Sequence, residues 1–123
     1  MLLYISIGGL LGTLARYSLQ GWIQTRSAGA FPVGTLVINL LGSFALGFVI
    51  RFATGSVVIS PEMRAALTIG FCGAFTTMST FSYESVALLG LGEYWRAAAY
   101  MGGTIVGCLV AVIAGTMVAE RML

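Results

Sequence analysis

Five hydroxyl side chains lie close together midway along an apolar stretch of the sequence. They are Thr76, Thr77, Ser79, Thr80 and Ser82. Hydroxyl groups can hydrogen-bond to an ion, and they become nucleophiles when a neighbouring base activates them. The chain contains no His, Lys or Asp, so a general base near these hydroxyls would have to be Glu84. These residue types favour ion binding or conduction, and we predict that the protein is not an enzyme.

The composition places the hydroxyl residues within a membrane. Of the 123 residues, 59% are hydrophobic and only 8% are charged, which is outside the range of soluble domains. Lipid cannot satisfy free backbone groups, so irregular backbone at membrane depth must be buried in protein or line a cavity. Gly70 and Gly73 precede the hydroxyl residues. This part of the sequence therefore marks a permeation path, a binding site or a buried break in a helix.

Four membrane-spanning helices are needed to position these residues. They are predicted at residues 2–23, 32–52, 61–91 and 94–119. A helix crosses the hydrocarbon in roughly 20 residues, so the third segment has room for an interruption, which we place at residues 73–77. Pro32 and Pro61 stand where helices begin, since the missing N–H of proline is not needed in a first turn. We predict one all-α domain over residues 1–123 whose third helix is broken near its centre, and a first helix that is not a signal peptide.

Small residues recur at helical spacing in the first and last segments. They are Gly8 and Gly12 in the first, and Ala99, Gly103, Gly107, Ala111 and Gly115 in the last. Such spacing lets helix backbones approach closely in lipid. Cys72 and Cys108 lie within apolar segments, and we predict that they are small core residues without a disulfide or a metal.

The arginines are divided almost equally between the two predicted faces of the membrane. Arg51, Arg64 and Arg121 belong to one face, and Arg26 and Arg96 belong to the other. Because an excess of basic residues sets the orientation of a membrane protein, this near balance permits insertion in both directions. Four helices of this length cannot both pack tightly and enclose a pore, so we expect a path shared between two antiparallel subunits.

Three polar side chains within the spans each allow two interpretations. Arg16 either anchors its helix at the interface or attracts anions to a pore mouth. Asn39 either makes a helix–helix hydrogen bond or donates to a passing anion. Glu84 is either satisfied by hydroxyls and water near the interface or acts as a proton-coupled or cation-binding carboxylate.

Two further patterns have a possible role in binding an anion. Met78 and Phe81 are three residues apart and share a helix face, and the positive edge of the Phe81 ring can contact an anion. Tyr100, Thr104 and Cys108 form a stripe at four-residue spacing on the last helix. Apolar residues such as Met78 and Phe81 in a membrane helix are mostly core residues, and packing explains the stripe on the last helix equally well.

Three segments resemble the Fluc/CrcB family of fluoride ion channels. They are GGLLGTLARY at residues 8–17, PVGTLVINLLGS at residues 32–43, and GFCGAFTTMSTFSYE at residues 70–84. The similarity extends over essentially the whole chain, and the third segment is the most specific. The resemblance implies a multi-pass protein of the bacterial inner membrane that exports fluoride passively. It also implies an antiparallel, dual-topology homodimer with two separate pores.

The resemblance assigns roles to individual residues. The predicted fluoride pore comprises Asn39, Met78, Ser79, Thr80, Phe81, Tyr100, Thr104 and Cys108, and Arg16 and Glu84 are expected at the pore mouth. Backbone carbonyls of Gly73 and Thr76 from both subunits are expected to hold a structural Na⁺ at the dimer interface. Carbonyl oxygens suit such a hard cation. The expected partners are fluoride, Na⁺, the lipid bilayer and a second copy of the chain.

The sequence departs from the family pattern at two positions. Met78 stands where the family usually has phenylalanine, so Phe81 is the only ring of the pair. Cys108 stands where many members have serine, and a thiol is the poorer hydrogen-bond donor.

Two other functions compete with the channel. A small multidrug exporter has a similar length and topology, but that class uses a Glu in its first helix, and the first span here has none. A structural membrane subunit would leave the hydroxyl residues unexplained. The net charge of +2 is too small to predict nucleic-acid binding.

Overall fold

The computed structural model describes residues 1–123, and all of its regular elements are helical. They are α1 (Leu2–Thr25), α2 (Val33–Gly55), α3 (Pro61–Ala65), a π-helical segment (Ala66–Cys72), α4 (Gly73–Phe75), α5 (Met78–Gly90) and α6 (Tyr94–Met122). Helices α1, α2 and α6 are each long and apolar enough to cross a membrane. The remaining helices follow one another as a broken third span. The predicted all-α class is confirmed, and the predicted segment ends agree with the helices to within one turn.

The ends of the third span follow from local sequence. Ser60 caps α3, because its Oγ accepts a hydrogen bond from the Met63 N–H at 3.2 Å, and Pro61 occupies the first turn. At the other end, Gly92 adopts a φ of 74°, and the Glu93 N–H donates to the Leu88 carbonyl at 3.0 Å. A left-handed glycine of this kind terminates a helix.

The third span contains a π-helical segment that the sequence analysis did not predict. Residues Ala66–Cys72 form this wider turn between α3 and α4. Short π-helical segments within α-helices are rare and often occur at functional sites. This one leads directly into the break between α4 and α5.

Helix α1 packs beside the third span, and the two run in the same direction. A side chain at Gly8 would overlap the carbonyl oxygen of Ala66, and one at Gly12 would overlap that of Phe71. The absence of side chains at these glycines lets the two backbones touch, as their spacing predicted.

Helices α2 and α6 form a second parallel pair. Gly47 lies against the backbone of Val112, and Gly115 lies against the backbone of α2. The small-residue stripe of α6 is used only in part within the chain, because a side chain at Gly103 would meet no atom within 4 Å. The two parallel pairs run in opposite directions. We call the end of the bundle with Met1, Pro61 and the last turns of α2 and α6 the N-terminal end.

Most large apolar side chains lie on the outside of the bundle, and only 22 of 123 residues are buried. The buried cluster consists of Phe81, Leu88, Ala97 and Tyr100. Residues such as Leu2, Leu10, Leu109 and Ile113 are exposed on the outer helix faces. An apolar exterior around a small core is typical of a protein surrounded by lipid.

Candidate functional site

The third span is broken at Thr76 and Thr77, within the region that the sequence analysis placed at residues 73–77. Both residues are extended, with φ and ψ of −88° and 158° at Thr76 and −149° and 119° at Thr77. The Thr77 side chain then begins α5, because its Oγ1 accepts a hydrogen bond from the Thr80 N–H at 3.2 Å. Ser79 and Thr80 surround the same hydroxyl, at 3.4 Å and 3.0 Å between oxygens.

Asn39 of α2 replaces the hydrogen bonds that the helix loses at the break. Its Oδ1 accepts from the Thr77 N–H at 2.9 Å, and its Nδ2 donates to the Thr77 carbonyl at 3.2 Å. These two bonds fix the orientation of the amide. Asn39 is buried, and its second Nδ2 hydrogen makes no hydrogen bond to the protein. The side chain therefore holds the break and still has one donor available.

Gly42 allows α2 to approach the break this closely. A Cβ atom at this position would overlap Cγ2 of Thr76 and would lie 3.1 Å from Cδ1 of Phe75. Gly42 is one turn away from Asn39 on the same helix face. A larger residue at position 42 would therefore push the break away from the Asn39 amide.

Arg16 of α1 contacts the break from the opposite side. Its Nε donates to the Ala74 carbonyl at 3.0 Å, and the side chain is half-buried. The guanidinium thus satisfies one of the carbonyls that the break releases, because an interrupted helix leaves acceptors without their usual N–H. Arg16 lies at the level of the break and does not line the cavity described below.

Two further carbonyls are released at the break. The Thr77 N–H would donate to the Gly73 carbonyl in an unbroken helix, but it donates to Asn39 instead. The Thr76 carbonyl accepts no backbone hydrogen bond. The oxygens of Gly73 and Thr76 are therefore available as ligands, and neutral carbonyl oxygens fit a hard cation such as Na⁺.

A cavity of about 300 Å³ lies between α2, the break and α6. Seven of the predicted site residues line it: Asn39, Gly73, Thr76, Met78, Phe81, Thr104 and Cys108. None of the lining residues carries a charge. Met78 is 72% exposed, so the cavity opens sideways at the surface of the single chain.

Thr104 lines this cavity and carries a hydroxyl that makes no hydrogen bond. The residue is only 6% exposed, and its Oγ1 has no hydrogen-bond partner. Buried polar groups are nearly always paired, so an unpaired one requires an explanation. An acceptor that reached this enclosed oxygen would supply the missing partner.

Tyr100 and Glu84 lie behind Phe81 and do not line the cavity. Tyr100 is completely buried, and its hydroxyl donates to Oε1 of Glu84 at 3.3 Å. The centroids of the Phe81 and Tyr100 rings are 5.2 Å apart. These contacts connect Phe81 through Tyr100 to the Glu84 carboxylate.

The structure adds residues that the sequence analysis did not assign to the site. Ser43, Leu46 and Cys72 line the cavity, and Thr77 provides the backbone groups that Asn39 binds. Thr77 was predicted within the break, but its bonds to Asn39 were not, and the N-cap preference of threonine was a further signal for its position. The other three residues resemble ordinary packing residues in the sequence.

Known proteins match this chain over almost its full length. A family model described as CrcB-like protein, Camphor Resistance (CrcB), matches residues 3–116. The Fluoride-specific ion channel FluC of Geotalea uraniireducens is 43% identical over 120 residues, covering 98% of this chain and 97% of that protein. The FluC protein of Geobacter sulfurreducens is 41% identical over 121 residues, covering 98% of both chains. The Fluoride-specific ion channel FluC 2 of Moorella thermoacetica is 44% identical over 120 residues, covering 98% and 97%.

Proposed function

The chain belongs to the CrcB-like family, and on that basis we propose that it is a fluoride-specific ion channel of the membrane. The structural observation that carries the proposal is the uncharged cavity with an unpaired, buried Thr104 hydroxyl. Fluoride is small and strongly hydrated, so a conducting path must replace its water with other donors. The proposed export is passive and takes place in the bacterial inner membrane.

Neutral donors suit conduction better than charged ones. Asn39, Thr104 and Phe81 all line one cavity, and these residue types offer an amide hydrogen, a hydroxyl and the positive edge of a ring. An ion must bind favourably enough to enter and weakly enough to leave. Arg16 donates to the Ala74 carbonyl instead of lining the cavity, which avoids a trap for the anion.

Beyond Phe81, the proposed path continues along the Ser79 and Thr80 hydroxyls and the Tyr100–Glu84 pair. The Tyr100 hydroxyl donates to Glu84, so this carboxylate is held by a neutral donor. Its position near the end of the third span agrees with a role at the pore mouth. Arg16 contributes positive potential from the level of the break. Chloride is larger than fluoride and would fit poorly between Met78 and Phe81.

We further propose that the channel is an antiparallel homodimer. The cavity opens sideways beside Met78, and a second subunit would close it. Arg51, Arg64 and Arg121 at the N-terminal end are nearly balanced by two arginines at the other, which permits both orientations.

A Na⁺ ion would fit at the centre of this dimer. The carbonyl oxygens of Gly73 and Thr76 from both subunits would hold it, since both lack their usual helical donors. The ion would supply positive charge that stabilises the converging carbonyl dipoles. The chain's own part is to keep these oxygens free, which Asn39 does by taking the Thr77 N–H.

Fluoride efflux from liposomes tests the channel proposal directly. Purified protein is reconstituted into vesicles loaded with potassium fluoride, valinomycin releases the K⁺, and a fluoride electrode records efflux. We expect fluoride efflux and no comparable chloride efflux. Protein that releases no fluoride, or releases both halides equally, would contradict the proposal.

A matched pair of variants tests the role of the unpaired hydroxyl. Thr104→Val keeps the shape of the side chain and removes its donor, and we expect fluoride efflux to fall about tenfold or more, the worth of a hydrogen bond to an ion. Thr13→Val makes the same change at an exposed position of α1, away from the cavity, and serves as the control. Equal efflux from both variants would assign Thr104 to packing alone.

A further inference from the structure

A second cavity lies next to the first in the groove between α2 and α6. Its volume is about 210 Å³, and Leu46 lines both cavities. Ile50 and Val112 form its apolar wall. The groove reaches Arg51 and Thr54, in the last turns of α2 at the N-terminal end of the bundle. The two cavities therefore lie in series between the break and one membrane surface.

Arg51 is the only residue in the second cavity whose side chain has hydrogen-bond donors to spare. The hydroxyls of Thr54 and Thr116 also line the cavity, but they donate to the carbonyls of Ile50 and Val112 at 3.0 Å and 2.9 Å. Arg51 Nε donates to Oε1 of Glu120 at 3.1 Å, and its remaining N–H groups make no hydrogen bond to the protein.

We propose that the two cavities are consecutive parts of one anion route, and that Arg51 concentrates the anion at its end while Glu120 moderates that attraction. This inference rests on the proposed fluoride channel and adds two residues to it. A cation at the mouth of a groove with low-dielectric walls raises the local concentration of anions. The paired carboxylate lowers the potential, so that the anion is attracted to the mouth and not held there.

The charges of the ion pair give the inference a distinctive signature. Arg51→Gln removes the positive charge and should lower fluoride flux, whereas Glu120→Gln removes the negative charge and should raise it. We expect each change to be about three- to fivefold at low ionic strength, below the tenfold at which steering effects begin in strongly charged clefts. Both substitutions break the same ion pair, so a purely structural role predicts losses in both.

Three further variants sharpen the comparison. Arg51→Lys keeps the charge and should conduct like the wild type. Arg121→Gln removes an equal charge next to Glu120 but outside the cavity lining, so its flux should change less than that of Arg51→Gln. The fluoride flux of the double variant Arg51→Gln/Glu120→Gln should lie between the fluxes of the two single variants.

Fluoride efflux is measured for all variants at about 0.01 M and about 1 M ionic strength, where the Debye length falls from roughly 30 Å to 3 Å. The opposite effects of the two single variants should converge at high salt. The inference would be overturned if both single variants lost flux, or if Arg121→Gln changed flux as much as Arg51→Gln. It would also be overturned if the changes in flux did not depend on ionic strength. If Arg51→Gln does not assemble, Glu120→Gln must still raise flux. Wild-type protein that releases no fluoride would remove the proposed function itself, and this inference with it.

Discussion

Replacing Asn39 by Asp tests the site most sharply, because the change retains the side-chain shape and reverses its chemistry. The Asn39 amide accepts from the Thr77 N–H and donates to the Thr77 carbonyl. An ionised carboxylate can only accept hydrogen bonds, so it keeps the bond from the Thr77 N–H. It loses the bond to the Thr77 carbonyl and places an oxygen against that carbonyl instead. The lost hydrogen bond costs about 1 kcal/mol in stability, and burying the charged oxygen against the carbonyl adds to that cost.

The effect on conduction should be large. Two like charges about 4 Å apart repel by roughly 4 kcal/mol at an effective dielectric constant of 20. A barrier raised by that amount slows passage about a thousandfold, at roughly 1.4 kcal/mol per factor of ten. We therefore expect Asn39→Asp to assemble and to release fluoride about a thousandfold more slowly than the wild type.

The assay is fluoride efflux from liposomes between about pH 6 and pH 9, with protein-free vesicles as the baseline. A protonated carboxyl group regains one donor, so any recovery of flux should appear at the acidic end of this range. Asn39→Leu serves as the control, because it removes both hydrogen bonds to Thr77 without adding charge. It should lose flux less severely than Asn39→Asp. An Asn39→Asp protein that assembles and conducts normally above neutral pH would refute the reasoning.

Three other predictions concern the pair on α5, the subunit orientation and the cation. Phe81→Leu should lose most fluoride flux because it removes the only ring edge in the cavity, whereas Met78→Leu should keep substantial flux; equal losses would contradict the distinction. A tag on Met1 should be accessible from both sides of the membrane, and access from one side alone would exclude the antiparallel dimer. Replacing Na⁺ by a large organic cation should lower the thermal stability of the purified dimer, because an ion held by the carbonyls of Gly73 and Thr76 binds only the folded state; no shift would argue against the ion.

The position of the break could be predicted from the sequence, but the contacts that satisfy it could not. Glycine and hydroxyl residues within an apolar span indicated the interruption, which the structure places at Thr76 and Thr77. The bond from Asn39 to Thr77 joins residues 38 positions apart, and the bond from Arg16 to Ala74 joins residues 58 apart. Such pairs depend on how helices pack, and no local pattern encodes that arrangement.

The interior of the site shows a similar division. The spacing of Thr104 and Cys108 predicted that both face the same side of α6, and the structure brings them to one cavity with Asn39 and Phe81. Nothing in the sequence indicated the π-helical segment, because its apolar residues fit an α-helix equally well. Arg51 was predicted only as a residue at one face of the membrane. Its place in a groove could not be predicted, because the groove forms only when α6 packs beside α2.

The broken span has a consequence for the order in which the protein is made. Neither part of it is long enough to cross the hydrocarbon, since Met78–Gly90 has 13 residues and a crossing needs about 20. If it entered lipid alone, the N–H and carbonyl groups at Thr77 would be unpaired there. Their partners on Asn39, and the partner of the Ala74 carbonyl on Arg16, belong to the two helices that the ribosome completes first. The side chains that hydrogen-bond to the break are therefore already in the membrane when the third span emerges. A permuted chain that began with the third span would have to insert this span without those partners.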